Sequence, residues 1–249
     1  MRLPRQDTPL SLPAEQPREA IARDEALLDA AASDRATNTV RWWVAASPAV
    51  VVGLGLRHRL AEVVDLERCE ASGIQVLERK AGGGALLLDA HMLCGAICLP
   101  ISAVSSDLTD SYRWLGDHLV GVLKAAGAHG VRRVEVDEAR ANVAALRSRS
   151  DAVARLLLAT CYGALSPHEV VTTSGGKLVG LAQVRRRHAA LFQFGILLGD
   201  QSALAGYLRV PDAPTRECLR AELARRTVGL EEHVDLSAMV LPWGSTTGG

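Results

Sequence analysis

Lys177 stands in Ser174-Gly175-Gly176-Lys177-Leu178-Val179-Gly180-Leu181-Ala182-Gln183, where a glycine pair turns the chain and an apolar strand follows. Of the 28 basic residues only three are lysines, Lys80, Lys124 and Lys177, and two of them neighbour glycine runs. Arginine offers a planar fork, lysine a compact ammonium on a flexible stem. A lysine beside a tight turn can be aimed at one carbonyl or phosphate oxygen; a solvated hairpin-tip lysine is the plainer alternative. The second reactive candidate is Cys161, in Ala159-Thr160-Cys161-Tyr162-Gly163-Ala164-Leu165-Ser166-Pro167-His168-Glu169. A thiolate is the attacking form of cysteine, and a free thiol, with a pKa of about 8.5, usually needs a neighbouring cation to react near neutrality. The alternative for a lone cysteine is a small buried hydrophobe. The third candidate is the loop Lys80-Ala81-Gly82-Gly83-Gly84. Consecutive glycines weaken regular structure, so they suit a backbone that closely approaches a ligand or another strand; a ligand-free hairpin also accommodates them. His168 lies close to Cys161 in sequence, but a histidine at a strand start is more often structural or exposed.

The totals narrow the class. With 249 residues the chain is long enough for one large domain or two small ones, and with 4% aromatic residues against 48% hydrophobic its core must be aliphatic. Acidic and basic residues balance at 28 each, so no global field favours nucleic acid or an anionic membrane. The five cysteines are scattered, without a CxxC zinc pattern, and no metal is expected. The proline- and charge-rich start lacks the apolar stretch of a signal peptide, and no apolar run approaches a membrane span. A cytoplasmic protein is the expectation.

The elements that would position these residues follow from periodicity. Residues 1–17 read as a flexible arm and Arg18 to Ala32 as an amphipathic helix. Arg41 to Val44 and Ala49 to Leu54 read as two paired strands around Ser47-Pro48, with Trp42 and Trp43 as packing residues. A short helix from Leu60 to Ser72 should end at Gly73, before a strand from Ile74 to Arg79. Met92 to Pro100 is a buried strand, Asp107 to Gly127 the clearest helix, and Glu138 to Leu158 a further one. His168 to Thr173, Lys177 to Gln183 and His188 to Leu198 form an antiparallel meander. A charged helix runs from Pro214 to Arg226 and a short acidic one from Leu230 to Met239. Strands and helices mix without strict alternation, which predicts an α+β (mixed α/β) fold: a mostly antiparallel or mixed central sheet flanked by helices.

Arg41-Trp42-Trp43, the Glu78-Arg79-Lys80-Ala81-Gly82-Gly83-Gly84 loop, and Lys177 to Gln183 followed by Arg185-Arg186 occur in that order. Together they resemble the catalytic domain shared by lipoate–protein ligases and octanoyltransferases, a relative of the biotin ligases, over roughly residues 35 to 205. The resemblance implies one catalytic domain over 18–240, a disordered tail over 241–249, and a narrow acyl tunnel between the glycine loop and the lysine strand. Cys161, with its following aromatic, Ser-Pro and Glu169, stands where one octanoyltransferase branch looks to carry its nucleophile, and for Cys69, Cys94, Cys98 and Cys218 a small buried hydrophobe is the better reading.

That branch implies an acyltransferase with no cofactor. Cys161 would take an octanoyl or lipoyl group from a carrier-protein thioester, octanoyl-acyl carrier protein being the donor. The acceptor would be the target lysine of a lipoyl domain, of the glycine cleavage H protein or a dehydrogenase E2 subunit. Lys177 would supply the cation beside the thiol and a hydrogen bond to the thioester oxygen. Arg79, Gly82, Gly83, Gly84, Gly180, Ala182 and Gln183 would bind substrate, the N–H groups of Gly83 and Gly84 serving the oxyanion at about 3 kcal/mol per donor. Arg185, Arg186 and Arg187 could meet an acidic carrier surface. Two readings compete: a magnesium-ATP-dependent lipoate ligase lacking its accessory domain, and a non-catalytic lipoyl- or carrier-binding module. Glu78 replaces the first of two arginines in the family pattern and Leu88-Asp89 replaces its His-Asp. An inward Glu78 would repel an adenylate phosphate, and either change would fit a member that has lost activity.

Overall fold

The computed structural model describes residues 12–31 and 38–230. β1 (Ala14–Glu15) leads into α1 (Pro17–Ala31), followed by β2 (Thr39–Ala45), β3 (Ala49–Gly53), α2 (Leu60–Val63), α3 (Leu66–Ala71), β4 (Gln75–Arg79), β5 (Ala85–Leu88) and β6 (Met92–Pro100). The second half comprises α4 (Leu108–Ala125), β7 (Val131–Arg133), α5 (Val136–Arg147), α6 (Ala152–Leu158), β8 (Val170–Thr172), β9 (Lys177–Arg185), β10 (Ala189–Leu197) and α7 (Ala213–Arg226). Among the described residues no helix is long and apolar enough to cross a membrane.

The strands form two sheets, a seven-stranded one ordered β1-β2-β6-β10-β9-β8-β7 and a three-stranded one ordered β4-β3-β5. All pairs of the large sheet are antiparallel except β1 with β2, while β3 pairs parallel with β4 and antiparallel with β5. The mixed sheet flanked by helices is therefore as expected, and the β8–β9–β10 meander is present. Helix α4 packs Leu115, Leu119 and Leu123 on one face of the large sheet, and α1 packs Leu28 near Ala96 and Leu191. The small sheet is buried on both sides: Val51, Leu86 and Leu88 join the main core, while Val50, Val52 and Leu87 meet α6 and α7. Side chains alternate along a strand, so two covered faces give the unbroken apolar runs seen in the sequence.

Four expectations are corrected. β2 and β3 are not partners but belong to different sheets. The helix expected over Leu60 to Ser72 breaks at Val64, which bridges to Leu208, and restarts with Asp65 accepting from the Arg68 N–H. The long helix to Leu158 is two helices, because the Asp151 carboxylate accepts the Ala154 N–H at 2.9 Å and caps a new start. Residues 14–15, expected in a flexible arm, pair with β2, and α1 begins at Pro17. The expected acidic helix beyond Leu230 and the tail over 241–249 lie outside the described residues.

Candidate active site

Cys161 stands two residues beyond the cap of α6, at a turn stitched to the start of β5. The Ala85 N–H donates to the Ala159 carbonyl and the Cys161 N–H to the Ala85 carbonyl, both at 2.8 Å. This bridge presses the glycine loop against the cysteine turn: a Cβ on Gly84 would lie 2.7 Å from the Thr160 carbonyl carbon. The half-buried thiol donates to the Gly84 carbonyl at 3.1 Å, and the Arg79 Nη2 lies 3.6 Å from Sγ. Gly83 has φ +108°, and a Cβ there would meet Arg79 Nη2 at 2.8 Å and Cys161 Sγ at 2.9 Å. Glycine is thus required at Gly83 twice, for backbone conformation and for contact between cation and sulfur. The loop is no hairpin, since β4 and β5 flank β3 without pairing to each other.

Lys177 lies beneath this turn rather than at a solvated tip, and is fully buried. Its ammonium donates to the Cys161 carbonyl, to the Ala164 carbonyl at 3.0 Å and to Glu169 Oε2 at 2.6 Å, and sits 5.2 Å from the centre of the Tyr162 ring. Burial pushes the Glu169 carboxyl up, and Lys177 opposes that shift. Its Oε2 also accepts the Ser166 N–H at 2.7 Å. The pair therefore fixes both ends of the cysteine turn.

A cavity of about 470 Å³ opens beside Cys161, within the range of small-molecule sites. Its floor follows from register: Trp43 pairs with Cys94, Cys94 with Gly195, and Gly195 with Gly180, a row of small side chains across β6, β10 and β9 that stops at an indole. The Tyr162 hydroxyl donates to the Gly195 carbonyl at 2.7 Å and accepts the Gly180 N–H at 3.3 Å, pinning its ring over that floor. Leu86, Leu88 and Met92 add apolar wall. A Cβ on Gly195 would come within 2.7 Å of both Met92 Sδ and Tyr162 Oη. Gly195→Ala is accordingly expected to narrow the cavity and to shift its preference among straight apolar chains toward one about two carbons shorter, by about tenfold in relative affinity. Competition binding of straight-chain probes of graded length measures this, and an unchanged order would remove Gly195 from the cavity floor.

Asp24, 2% exposed, also lines the cavity. It accepts from Arg41, from Gln193 Nε2 at 3.2 Å and from Trp43 Nε1 at 3.4 Å, and burial lifts its carboxyl to about 6 against the pull of Arg41. Arg41 also pairs with Glu15 at 2.8 Å, which ties β1 and α1 to β2. Sequence reasoning missed this cluster. Its signal was an acid inside the apolar stripe Ala20, Ile21, Leu28 of a helix, and an arginine alternating with Trp43 along a strand.

The structure brings Arg79, Gly83, Gly84, Cys161 and Gly180 to the cavity wall. Gly82 and Ala182 line an adjoining groove that shares Gly83, Ser166 and Glu169 with it. Gln183, expected to bind substrate, lines neither of these, its Oε1 standing 3.4 Å from the Ser111 hydroxyl of α4. Arg185 is held by the Ser106 carbonyl and the Ser111 hydroxyl, so of the arginine turn Arg186 and Arg187 are the exposed members. His168 faces Arg133, and burial lowers its pKa. Cys69, Cys94 and Cys98 are buried, and burial pushes their thiols up; Cys218, expected buried, is exposed on α7. Glu78 turns outward to Arg57 at 3.2 Å, and Leu88 packs into the cavity.

A family model described as the lipoyl protein ligase A/B catalytic domain matches residues 16–240. Octanoyltransferase LipM of Kyrpidia tusciae is 32% identical over 216 residues, covering 85% of this chain and 73% of that protein. The LipM of Carboxydothermus hydrogenoformans is 28% identical over 218 residues, covering 86% and 73%. Among solved structures, the bipartite lipoate protein ligase of Thermoplasma acidophilum, described with its E2 lipoyl domain, superposes with a TM-score of 0.66 at 22% identity, covering 90% of this chain and 75% of that one.

Proposed function

Because the chain belongs to the lipoyl protein ligase A/B catalytic-domain family, we propose that it is an octanoyltransferase of protein lipoylation, working through Cys161 and without ATP. The observation that carries this reading is a half-buried thiol at the wall of an apolar cavity, against a glycine loop that a Cβ would separate from it. The names of the relatives support octanoyl transfer, and the archaeal neighbour's pairing with a lipoyl domain supports such a domain as acceptor.

The Cys161 sulfur attacks the carbonyl carbon of an octanoyl thioester on an acyl carrier protein. A new C–S bond forms, the carrier's C–S bond breaks, and the carrier thiol leaves with the proton that Cys161 gave up. Among the described residues the Gly83 and Gly84 N–H groups have no acceptor, which suits them to the developing oxyanion. The octanoyl chain lies over the Gly180–Gly195–Cys94 floor, with Trp43 setting its reach. The amine of a lipoyl-domain lysine then attacks the new thioester; an amide forms and the thiol is regenerated. The stabler amide drives the sequence forward.

Intact-protein mass spectrometry after mixing with octanoyl-loaded acyl carrier protein, without ATP, tests this directly. A hydroxylamine-labile octanoyl adduct mapped to Cys161 is expected, and addition of a lipoyl domain should discharge it. Acylation of the lipoyl domain only with ATP and free lipoate would make the protein a ligase. No turnover by either route would leave a binding module.

A further inference from the structure

His168 stands out, in the turn between Cys161 and β8, by its backbone as well as its ring. Its φ is +72°, a left-handed conformation that no other non-glycine among the described residues adopts. An L side chain persists there only when its surroundings hold it. The His168 N–H donates to the Val134 carbonyl at 3.0 Å, and α4 comes so near that a Cβ on Gly116 would lie 2.1 Å from the His168 carbonyl oxygen. The residue is 3% exposed, and Arg133 Nη1 bonds its Nδ1. A guanidinium has donors and no acceptor, so Nδ1 accepts and the neutral ring carries its proton on Nε2. That Nε2–H is buried with no acceptor among the described residues, although buried polar groups are nearly always matched.

The ring lines a groove of about 450 Å³, between the first turn of α4, with Leu108, Thr109 and Tyr112, and the segment Ser166-Pro167-His168. At the groove's inner end is Gly83, where a Cβ would lie 2.9 Å from Cys161 Sγ. Two spaces therefore converge on one sulfur: an apolar cavity that suits a chain, and a groove with an unmatched donor.

We propose that this groove seats the arm on which the acyl chain arrives, an arm of the pantetheine type with amide carbonyls, and that His168 positions it by donating its Nε2–H to one of those carbonyls. The inference rests on the proposed transfer from a carrier thioester to Cys161, and adds the feature by which the donor is recognised. A lysine side chain in the groove would bring only methylenes and further N–H donors, so the unmatched donor favours the donor's arm over the acceptor's. Half-buried Tyr112 and Leu108, 52% exposed, offer apolar surface to the arm's methylene and methyl groups.

Equilibrium titration with two thioethers, which cannot transfer their chains, tests this without turnover. S-octylpantetheine carries the chain, the sulfur and the amide arm; octyl 2-hydroxyethyl sulfide carries the chain and the sulfur alone. The wild type is expected to bind the first at least about tenfold more tightly. His168→Gly keeps the backbone conformation, which glycine adopts freely, and leaves Arg133 its pairs with Asp117 and Glu135. It is expected to lower the affinity ratio about fivefold, the effect of one lost hydrogen bond. Thr109→Trp, at an exposed position that lines the groove and not the acyl cavity, is expected to lower the ratio too, and carries the test should His168→Gly fail to fold. Equal affinity of the two probes for the wild type, or an unchanged ratio in either folded variant, overturns the proposal. A His168-dependent preference in a protein that forms no octanoyl adduct at Cys161 would uphold the groove and reject the transfer, and an adduct without that preference would do the opposite, so the two failures are distinguishable.

Discussion

Cys161→Ser is expected to keep its fold and lose the acyl-enzyme, with octanoylation of a lipoyl domain falling at least about a thousandfold. The structural half follows from the contacts. The thiol donates to the Gly84 carbonyl at 3.1 Å, and a serine hydroxyl donates to the same oxygen. The turn itself is held through main chain, by the Ala85 bridge and by Lys177 on the Cys161 carbonyl, neither of which involves Sγ. The chemical half follows from ionisation: a thiolate is accessible near neutrality beside a cation, and an alkoxide is not. Steady-state octanoylation and the intact mass of the trapped intermediate measure the two halves separately. Turnover within tenfold of wild type would show that the acyl group never passes through sulfur.

Lys177→Met is expected to destabilise the protein by about 3–5 kcal/mol, the usual effect of breaking a buried ion pair from one side. Glu169 is 3% exposed, and its described partners besides Lys177 are backbone N–H groups. Two carbonyls, of Cys161 and Ala164, lose their donor as well. The loss has a pH signature. A carboxyl whose pKa is raised in the folded state binds its proton more tightly there than in the unfolded chain. Stability is then greatest below the unfolded carboxylate range and falls as pH rises through the folded value. Burial already raises Glu169 against the opposing charge of Lys177, so removing that charge deepens the fall. Chemical denaturation of Lys177→Met across acid and neutral pH should show it, and Lys177→Met/Glu169→Gln should recover much of the loss at neutral pH. Equal stability of the single and double variants at every pH would mean that the carboxylate is not the source.

The site was legible in sequence where chemistry is local to a few residues. Gly83 could be singled out because a three-glycine run has no packing reason to exist, and its φ of +108° with two atoms inside 3 Å of a virtual Cβ supplies the reason. Cys161 was singled out by the resemblance of its segment to one octanoyltransferase branch, and in the structure it is the half-buried cysteine at the cavity wall. Asp24 and Gln193 were not legible, because an isolated acid on a helix and an isolated amide on a strand reveal nothing until Arg41, Trp43 and Gln193 meet Asp24 across 17 residues or more. The surroundings of Gln183 were not legible for a related reason: side chains alternate along a strand, and only the position of α4 tells what that residue of β9 meets.

Composition, apolar periodicity and turn residues by themselves determined an aliphatic core, the helices α1, α4 and α7 and the β8–β9–β10 meander, because each is encoded within one turn of helix or a few residues of strand. Which strands share a sheet was decided by tertiary structure alone: β2 and β3 are adjacent in sequence yet part into two sheets. So was the placing of each cation. Lys177 and Arg79 lie 16 and 82 residues from Cys161 along the chain, and sequence gives neither a distance to the sulfur nor the partners each one meets. Pairing of β8 with β9 buries Lys177 against Glu169 and the Cys161 carbonyl, while the three-glycine loop lets the Arg79 guanidinium come within 3.6 Å of the thiol. A residue's type sets what it can do, and its neighbours in space set what it has left to do it with.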